Sequence, residues 1–135
     1  MANAIYPKWK EALEQASVNS ALTGTVKCVL MDLGVYSYNA AHDFYDDLTG
    51  VVGVASPAFT TKTYVNGVFD ADPITFTAVT GNSVEALIIF IDTGTPGTSR
   101  LVCFLDTGVT GLPVTPNGGD IIVTWDDGAD KIFRL

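Results

Sequence analysis

Charged side chains are scarce in this sequence, and basic ones are scarcer still. Only 16% of the 135 residues are charged, and 7 Lys and Arg stand against 15 Asp and Glu, giving a formal net charge of -8 at pH 7. Such a chain repels phosphate backbones and anionic lipid surfaces, so we expect no nucleic-acid partner. The charged fraction lies below the roughly 25% of typical domains. It therefore indicates a surface rich in small, apolar or hydroxylated residues, as an interface requires.

Long hydrophobic runs are also missing. The longest apolar run extends only from Ala86 to Ile91, whereas a transmembrane helix needs about 20 residues. The first ten residues contain lysines and a tryptophan, but no continuous apolar segment and no small-residue cleavage site, so they do not match a secretory signal. We therefore expect synthesis in the cytoplasm and no membrane partner.

Cysteine and histidine are almost absent, which leaves little material for metal or nucleophilic sites. Cys28 and Cys103 each lie inside an apolar run, which favours small buried side chains. A disulfide between them is an alternative that requires Cα atoms within about 7 Å. His42 is the only histidine, and we expect it to be exposed on a short helix. These features favour a non-enzymatic protein with no metal or cofactor.

An amphipathic pattern at the N-terminus predicts a short helix. Pro7 is suited to a first helical turn, and apolar residues recur at the spacing of one helix face. The residues on this face are Ile5, Trp9, Leu13 and Ala16. We predict a helical arm over residues 1–18, followed by a single domain over residues 19–135.

Apolar strands that end in an acidic turn recur along the rest of the chain. In each case Asp, one further residue and Gly follow the strand, as in a tight turn. The four strands are Thr25–Met31, Ile88–Ile91, Leu101–Leu105 and Ile121–Trp125. With the shorter strands they predict a mainly β protein, an antiparallel, jelly-roll-like β-sandwich.

Two local patterns lie in the middle of the chain. Residues 39–48 have the capping and apolar spacing of a further short helix. Asn66 and Gly67 lie between two short strands and predict a hairpin, because both residues tolerate positive φ.

Strand patterns complete the C-terminal half. Apolar residues alternate with Thr75 and Thr77 over residues 74–79, which predicts a strand with one hydroxylated face. A last hairpin is predicted to pair Val123–Trp125 with Lys131–Phe133.

The triplet Asp-Thr-Gly occurs at residues 92–94 and 106–108. An apolar strand followed by this triplet resembles the signature of retroviral-type aspartic proteases, in which two carboxylates share a proton. The two copies are too close in sequence to head two lobes, and the short stretch after Gly108 lacks the supporting element of that fold. We therefore interpret both triplets as turns and keep the protease as a remote alternative.

Clusters of acidic residues suggest one other chemistry. Asp43 with residues 46–47, and residues 126–130, carry oxygen ligands of the kind that Ca²⁺ prefers, yet neither matches an EF-hand loop. Solvated turns are the preferred interpretation, and no metal is predicted.

Four segments resemble small virion proteins encoded by tailed bacteriophages and prophages, and the likeness runs nearly from end to end. The segments are Ile5–Leu13, Tyr36–His42, Asn66–Ala71 and Asn117–Trp125. The resemblance implies a capsid decoration, or cement, protein on the capsid exterior that bridges major capsid protein subunits. A tail or head-fibre structural protein is the alternative.

The predicted helix supplies the candidate contact residues for such a shell. Aromatic residues are enriched at the anchors of interfaces, so the capsid-contact candidates are Ile5, Tyr6, Trp9 and Leu13. A core role for Trp9 is the alternative. Symmetric binding sites on a shell also favour a homo-oligomer, a dimer or a trimer.

Overall fold

Antiparallel strands make up most of the structure, a computed structural model that describes residues 3–135. In this part of the chain no helix has the length and apolar character needed to cross a bilayer. The elements are β1 (Ala4–Ile5), α1 (Pro7–Glu14), β2 (Val26–Met31), β3 (Val51–Val52), β4 (Val68–Phe69), β5 (Ile74–Phe76), β6 (Ala86–Ile91), β7 (Leu101–Leu105), β8 (Val109–Thr110), β9 (Ile121–Trp125) and β10 (Phe133–Arg134).

The strands form three antiparallel sheets. Five strands pair in the order β1-β7-β6-β2-β3, three in the order β5-β9-β8, and two as β10-β4. This arrangement confirms the predicted mainly β, antiparallel β-sandwich with a short N-terminal helix.

The middle of the five-stranded sheet is covered on both faces. Every residue of β6 and β7 is buried, and β2 is buried except at the half-buried Lys27. On one face, Tyr36 and Tyr38 pack on Phe104, and Tyr45 packs on Phe90. Burial on both faces explains why these strands are continuous apolar runs rather than alternating ones.

A chain of aromatic contacts joins the N-terminal helix to the smaller sheets. Trp9 meets Phe133 edge to face, with ring centroids 5.7 Å apart. Phe133 contacts Phe69, which stacks on Phe59, and Phe59 contacts Trp125. Helix and sheets therefore share one core.

The prediction of a further short helix over residues 39–48 is confirmed only over its last part, and the helix is of the 3-10 type. This segment contains only a single 3-10 turn, Tyr45–Asp47. The Asn39 side chain accepts a hydrogen bond from Ala41 N–H, and the Asp47 carboxylate accepts from Asp43 N–H. Such side-chain bonds compete with the helical pattern of backbone hydrogen bonds.

The turn at Asn66 and Gly67 is confirmed, whereas the last hairpin is wrong. Asn66 and Gly67 both have positive φ, and Thr63 and Asp70 on either side exchange two backbone hydrogen bonds. The C-terminal strand β10 pairs with β4 instead of with β9. Both edges of β9 are already filled, by β5 and β8.

Three of the four predicted Asp-x-Gly turns close by the same hydrogen bond. The carboxylates of Asp32 and Asp92 accept from Gly34 and Gly94 N–H at 2.8 Å, and Asp126 accepts from Gly128 N–H at 3.3 Å. At the fourth turn, Asp106 N–H donates to the Asn3 side chain.

Candidate interaction surface

The outer side of the three-stranded sheet is exposed, and the four side chains that its strands place there are uncharged. Residues of β9 alternate between the core and solvent, which leaves Ile122 and Thr124 outside. The strand register places Thr75 opposite Ile122 and Thr110 opposite Thr124. All four side chains are exposed, Ile122 by 59%. We call this surface, defined by Thr75, Thr110, Ile122 and Thr124, the neutral face.

A groove of about 420 Å³ adjoins the neutral face at Thr75. It is lined by residues 53–57 and 75–80, and we call it the edge groove. None of its lining residues is charged. Val54 stands on its wall with 81% of its surface exposed. Its volume falls within the roughly 300–1,000 Å³ range of small-molecule binding pockets.

The neutral face and the edge groove are made by charge-free stretches of sequence that the fold brings together. Residues 48–61, 73–84 and 107–119 contain no charged residue. Val84 and Val114 exchange two backbone hydrogen bonds, at 2.8 and 2.9 Å, and thereby join the second stretch to the third. Gly81, in the second stretch, lies against Val52 in the first. The fold thus brings the three charge-free stretches next to one another.

No protein-family model matches this chain, and no curated protein matches it. The neutral face, the edge groove and the four segments named above therefore carry the functional proposal.

Two of the predicted capsid-contact residues are in the core. Tyr6 and Trp9 are 0% and 1% exposed, and the indole N–H of Trp9 donates to the Ser20 carbonyl at 2.8 Å. Ile5 lies in β1, paired with Cys103, and Leu13 is partly buried against the core. The prediction that Tyr6 and Trp9 contact another protein is therefore corrected. Both side chains instead anchor the N-terminal segment on its own sheets.

The two Asp-Thr-Gly triplets do not meet within the chain. β6 and β7 are antiparallel neighbours, so Asp92 after β6 and Asp106 after β7 lie at opposite ends of the hairpin. Asp92 also forms an ion pair with Lys27 at 2.7 Å. Hydrogen bonds from Lys27 and from Gly94 N–H hold the pKa of the Asp92 carboxyl below its ordinary value. A shared proton between these two carboxylates has no geometric basis in a single chain.

The acidic clusters make local contacts. Asp127 pairs with Lys131, and Asp130 with Arg134, while Asp47 accepts hydrogen bonds from Asp43 and Phe44 N–H. Across residues 3–135, no group of three or more potential metal ligands is assembled.

A chain of hydrogen bonds connects Tyr6, Tyr36 and His42, which no sequence pattern links. The Tyr6 hydroxyl lies 2.7 Å from the Tyr36 hydroxyl, which lies 2.9 Å from Nδ1 of His42. Burial raises the pKa of both tyrosines above the ordinary range, so both stay protonated at neutral pH. His42, expected in solvent, is half-buried and contacts Tyr36 of the same segment.

Both cysteines are buried and free, as small core residues are expected to be. Cys28 and Cys103 lie on either side of Ile89, each paired with it across one strand spacing. Two spacings separate their Cα atoms by about 10 Å, which exceeds the reach of a disulfide. Burial raises the pKa of both thiols to about 12, so neither is a thiolate at neutral pH.

Two features of the sequence pointed toward the neutral face and the edge groove. The alternation around Thr75 and Thr77 predicted a hydroxylated strand face, and the structure places both side chains in solvent. The three charge-free stretches were also visible in the sequence. Their contact with one another depends on the sheet order and was not.

Proposed function

We propose that this chain is a non-enzymatic structural protein of a tailed-bacteriophage virion, a decoration protein. In this proposal it binds the outer surface of the head shell and bridges neighbouring major capsid protein subunits. It is made in the host cytoplasm and acts as a dimer or trimer on the assembled particle.

The observation that carries the proposal is the presence of the neutral face and the edge groove, whose residues are uncharged, on an acidic molecule. A face of hydroxylated and β-branched side chains can be buried against another protein without leaving an unpaired charge in the interface. The acidic remainder keeps the free protein soluble and away from packaged DNA. The four phage-like segments support the same assignment.

Decoration also has a thermodynamic basis. A protein that binds only the assembled shell stabilises that state by mass action. Contacts that are individually modest become effective when they repeat over many symmetric sites.

Quantitative mass spectrometry of purified particles tests the proposal by counting copies of this chain relative to the major shell subunit. A ratio near one per shell subunit, or per small symmetric group of subunits, is the expected result. A known vertex protein of the same particles serves as the low-copy reference. A handful of copies per particle would move the chain to the tail or a head fibre, and absence from the particle would refute a virion role.

A further inference from the structure

The edge groove lies where the two larger sheets both end. Beyond β3 the chain follows β2, since Ser56 N–H donates to the Cys28 carbonyl and Phe59 N–H to the Val26 carbonyl. This segment is one wall of the groove, and β5, an edge strand of the three-stranded sheet, is the other. The sandwich is thus open along this side, between two edges.

The main-chain groups of Thr75, at the middle of β5, face away from β9 and toward the side where the groove lies. Gly111, next to β8, lies so close to the Ile122 carbonyl oxygen that an added Cβ atom would overlap it. The Ile122 main chain therefore faces β8. Because directions alternate along an antiparallel strand, Thr75, paired opposite Ile122, directs its N–H and C=O away from β9. Within residues 3–135, neither group makes a backbone hydrogen bond outside the sheet pairing.

The opposite wall and the contacts between the two walls define the shape of the groove. In the described part of the chain, the Val54 N–H and C=O also make no hydrogen bond. Outside the groove lining, the chain segments that form the two walls are joined by the hydrogen bond from Asp72 N–H to the Thr60 carbonyl, 3.0 Å long. Within the lining, Gly53 lies against the Val79 side chain. Buried Phe76 and Val79 contribute to the lining.

The chemistry of the walls selects the occupant. An exposed strand edge binds extended peptides through main-chain hydrogen bonds, and neighbouring side chains set the specificity. A charged side chain held among these uncharged lining residues would lose water, and an acidic one would also be repelled by the net charge of -8. The fitting occupant is an extended segment of small, hydroxylated or β-branched residues.

We infer that the edge groove receives an extended, uncharged segment of the major shell subunit, which adds as a strand to β5. This inference rests on the proposed function and names the element of the partner that this surface binds. The added strand fills the gap between the two sheet edges, so shell binding and closure of the sandwich occur together.

Binding to purified head shells, assembled by the encoding phage with the gene for this chain disrupted, provides the test. Thr75→Pro removes the outward N–H, and an edge strand tolerates proline where the N–H faces solvent. Val54→Asp places a charge on the exposed wall. Each change is expected to weaken shell binding about tenfold or more, the effect of losing one good interface contact.

Val18→Asp is the matched control, because Val18 is 78% exposed and does not line the groove. It is expected to bind as the wild type does. Thermal unfolding of each variant checks the fold, and Val54→Asp decides alone if Thr75→Pro fails to fold. Hydrogen exchange of residues 73–80 should slow on the shell and stay unchanged in free protein mixed with bovine serum albumin.

The two proposals fail in different ways. If the wild type binds shells but both groove variants bind equally well and residues 73–80 gain no protection, strand addition is overturned while decoration stands. If the wild type does not bind the shells, the decoration role falls, and the strand addition falls with it.

Discussion

Tyr6, Tyr36 and His42 illustrate how single polar groups hold this fold together. Tyr6 and Tyr36 are almost completely buried, and a buried hydroxyl without a hydrogen bond is costly. The Tyr36 hydroxyl contacts both other members of the chain. It therefore links the N-terminal segment to the covering segment over residues 36–42.

Tyr36→Phe is expected to lower the free energy of unfolding by about 1–3 kcal/mol, since it leaves the Tyr6 hydroxyl buried with no partner from Tyr36. Urea denaturation measures the loss. Tyr45→Phe is the control, because the described residues give the Tyr45 hydroxyl no hydrogen bond. Equal stabilities of the two variants would contradict the role of the tyrosine pair.

The contribution of the Asp92 carboxylate to folding stability depends on pH. Because Lys27 lowers the pKa of Asp92 in the folded state, the ionised carboxylate stabilises the fold above the unfolded-state pKa of about 3.9. That contribution is lost as the pH falls through the lower folded-state pKa.

Asp92→Asn is expected to reduce stability at pH 7 by about 1 kcal/mol, the size of a partly exposed ion pair with hydrogen bonds. Asn can still accept the Gly94 N–H bond. The difference from the wild type should shrink below about pH 4. Chemical denaturation at pH 7 and at pH 2.5 checks this, and a difference that is constant with pH would refute the ion-pair explanation.

The N-terminal segment acts as a structural element of the β domain. β1 extends the five-stranded sheet beside β7, and α1 places Trp9 against Phe133. The narrow apolar stripe of the helix predicts a separate arm over residues 1–18. The structure uses that stripe to attach the helix to its own sheets.

Trp9→Ala is expected to cost about 3–5 kcal/mol, as for other buried large-to-small changes. This loss is a large fraction of the roughly 5–15 kcal/mol of a typical domain. Deletion of residues 1–16, which also removes β1, should abolish cooperative unfolding. Lys10→Ala on the exposed side of α1 is the control and should stay within about 0.5 kcal/mol. A stable deletion variant would restore the idea of an independent arm.

On the scale of the whole molecule, the sheets share one hydrophobic core. The buried residues form a single cluster that includes strands from all three sheets. The aromatic contacts between Trp9 and Trp125 run through both smaller sheets. A domain built in this way is expected to unfold in one step.

The two tryptophans allow a direct test of that cooperativity. In Trp9→Phe only Trp125 reports by fluorescence, and in Trp125→Phe only Trp9 does. In each variant the fluorescence transition in urea should coincide with the loss of β-sheet circular dichroism. Separate midpoints within one variant would mean that the segment around the reporting tryptophan unfolds independently.

Local chemistry fixed what the sequence could predict. The buried strands β2, β6, β7 and β9 were predictable because continuous or alternating apolar residues suit only particular patterns of burial. The turns after Asp32, Asp92 and Asp126 were predictable because the carboxylate bonds to an N–H two residues away. The burial of Cys28 and Cys103 was predictable because their neighbours in the sequence are apolar.

Long-range packing decided the rest. Whether Tyr6 and Trp9 contact another protein or their own core depends on which sheet covers them. Sequence periodicity shows that a helix has an apolar face, but not what that face packs against. Over residues 39–48 the helix is limited to a 3-10 turn, because the Asp47 side chain accepts hydrogen bonds from backbone N–H groups of the same segment. The sequence determined that this protein is acidic, β-rich and charge-free over three stretches. Only the strand order brought those stretches together, because distant segments become neighbours only when the sheets form.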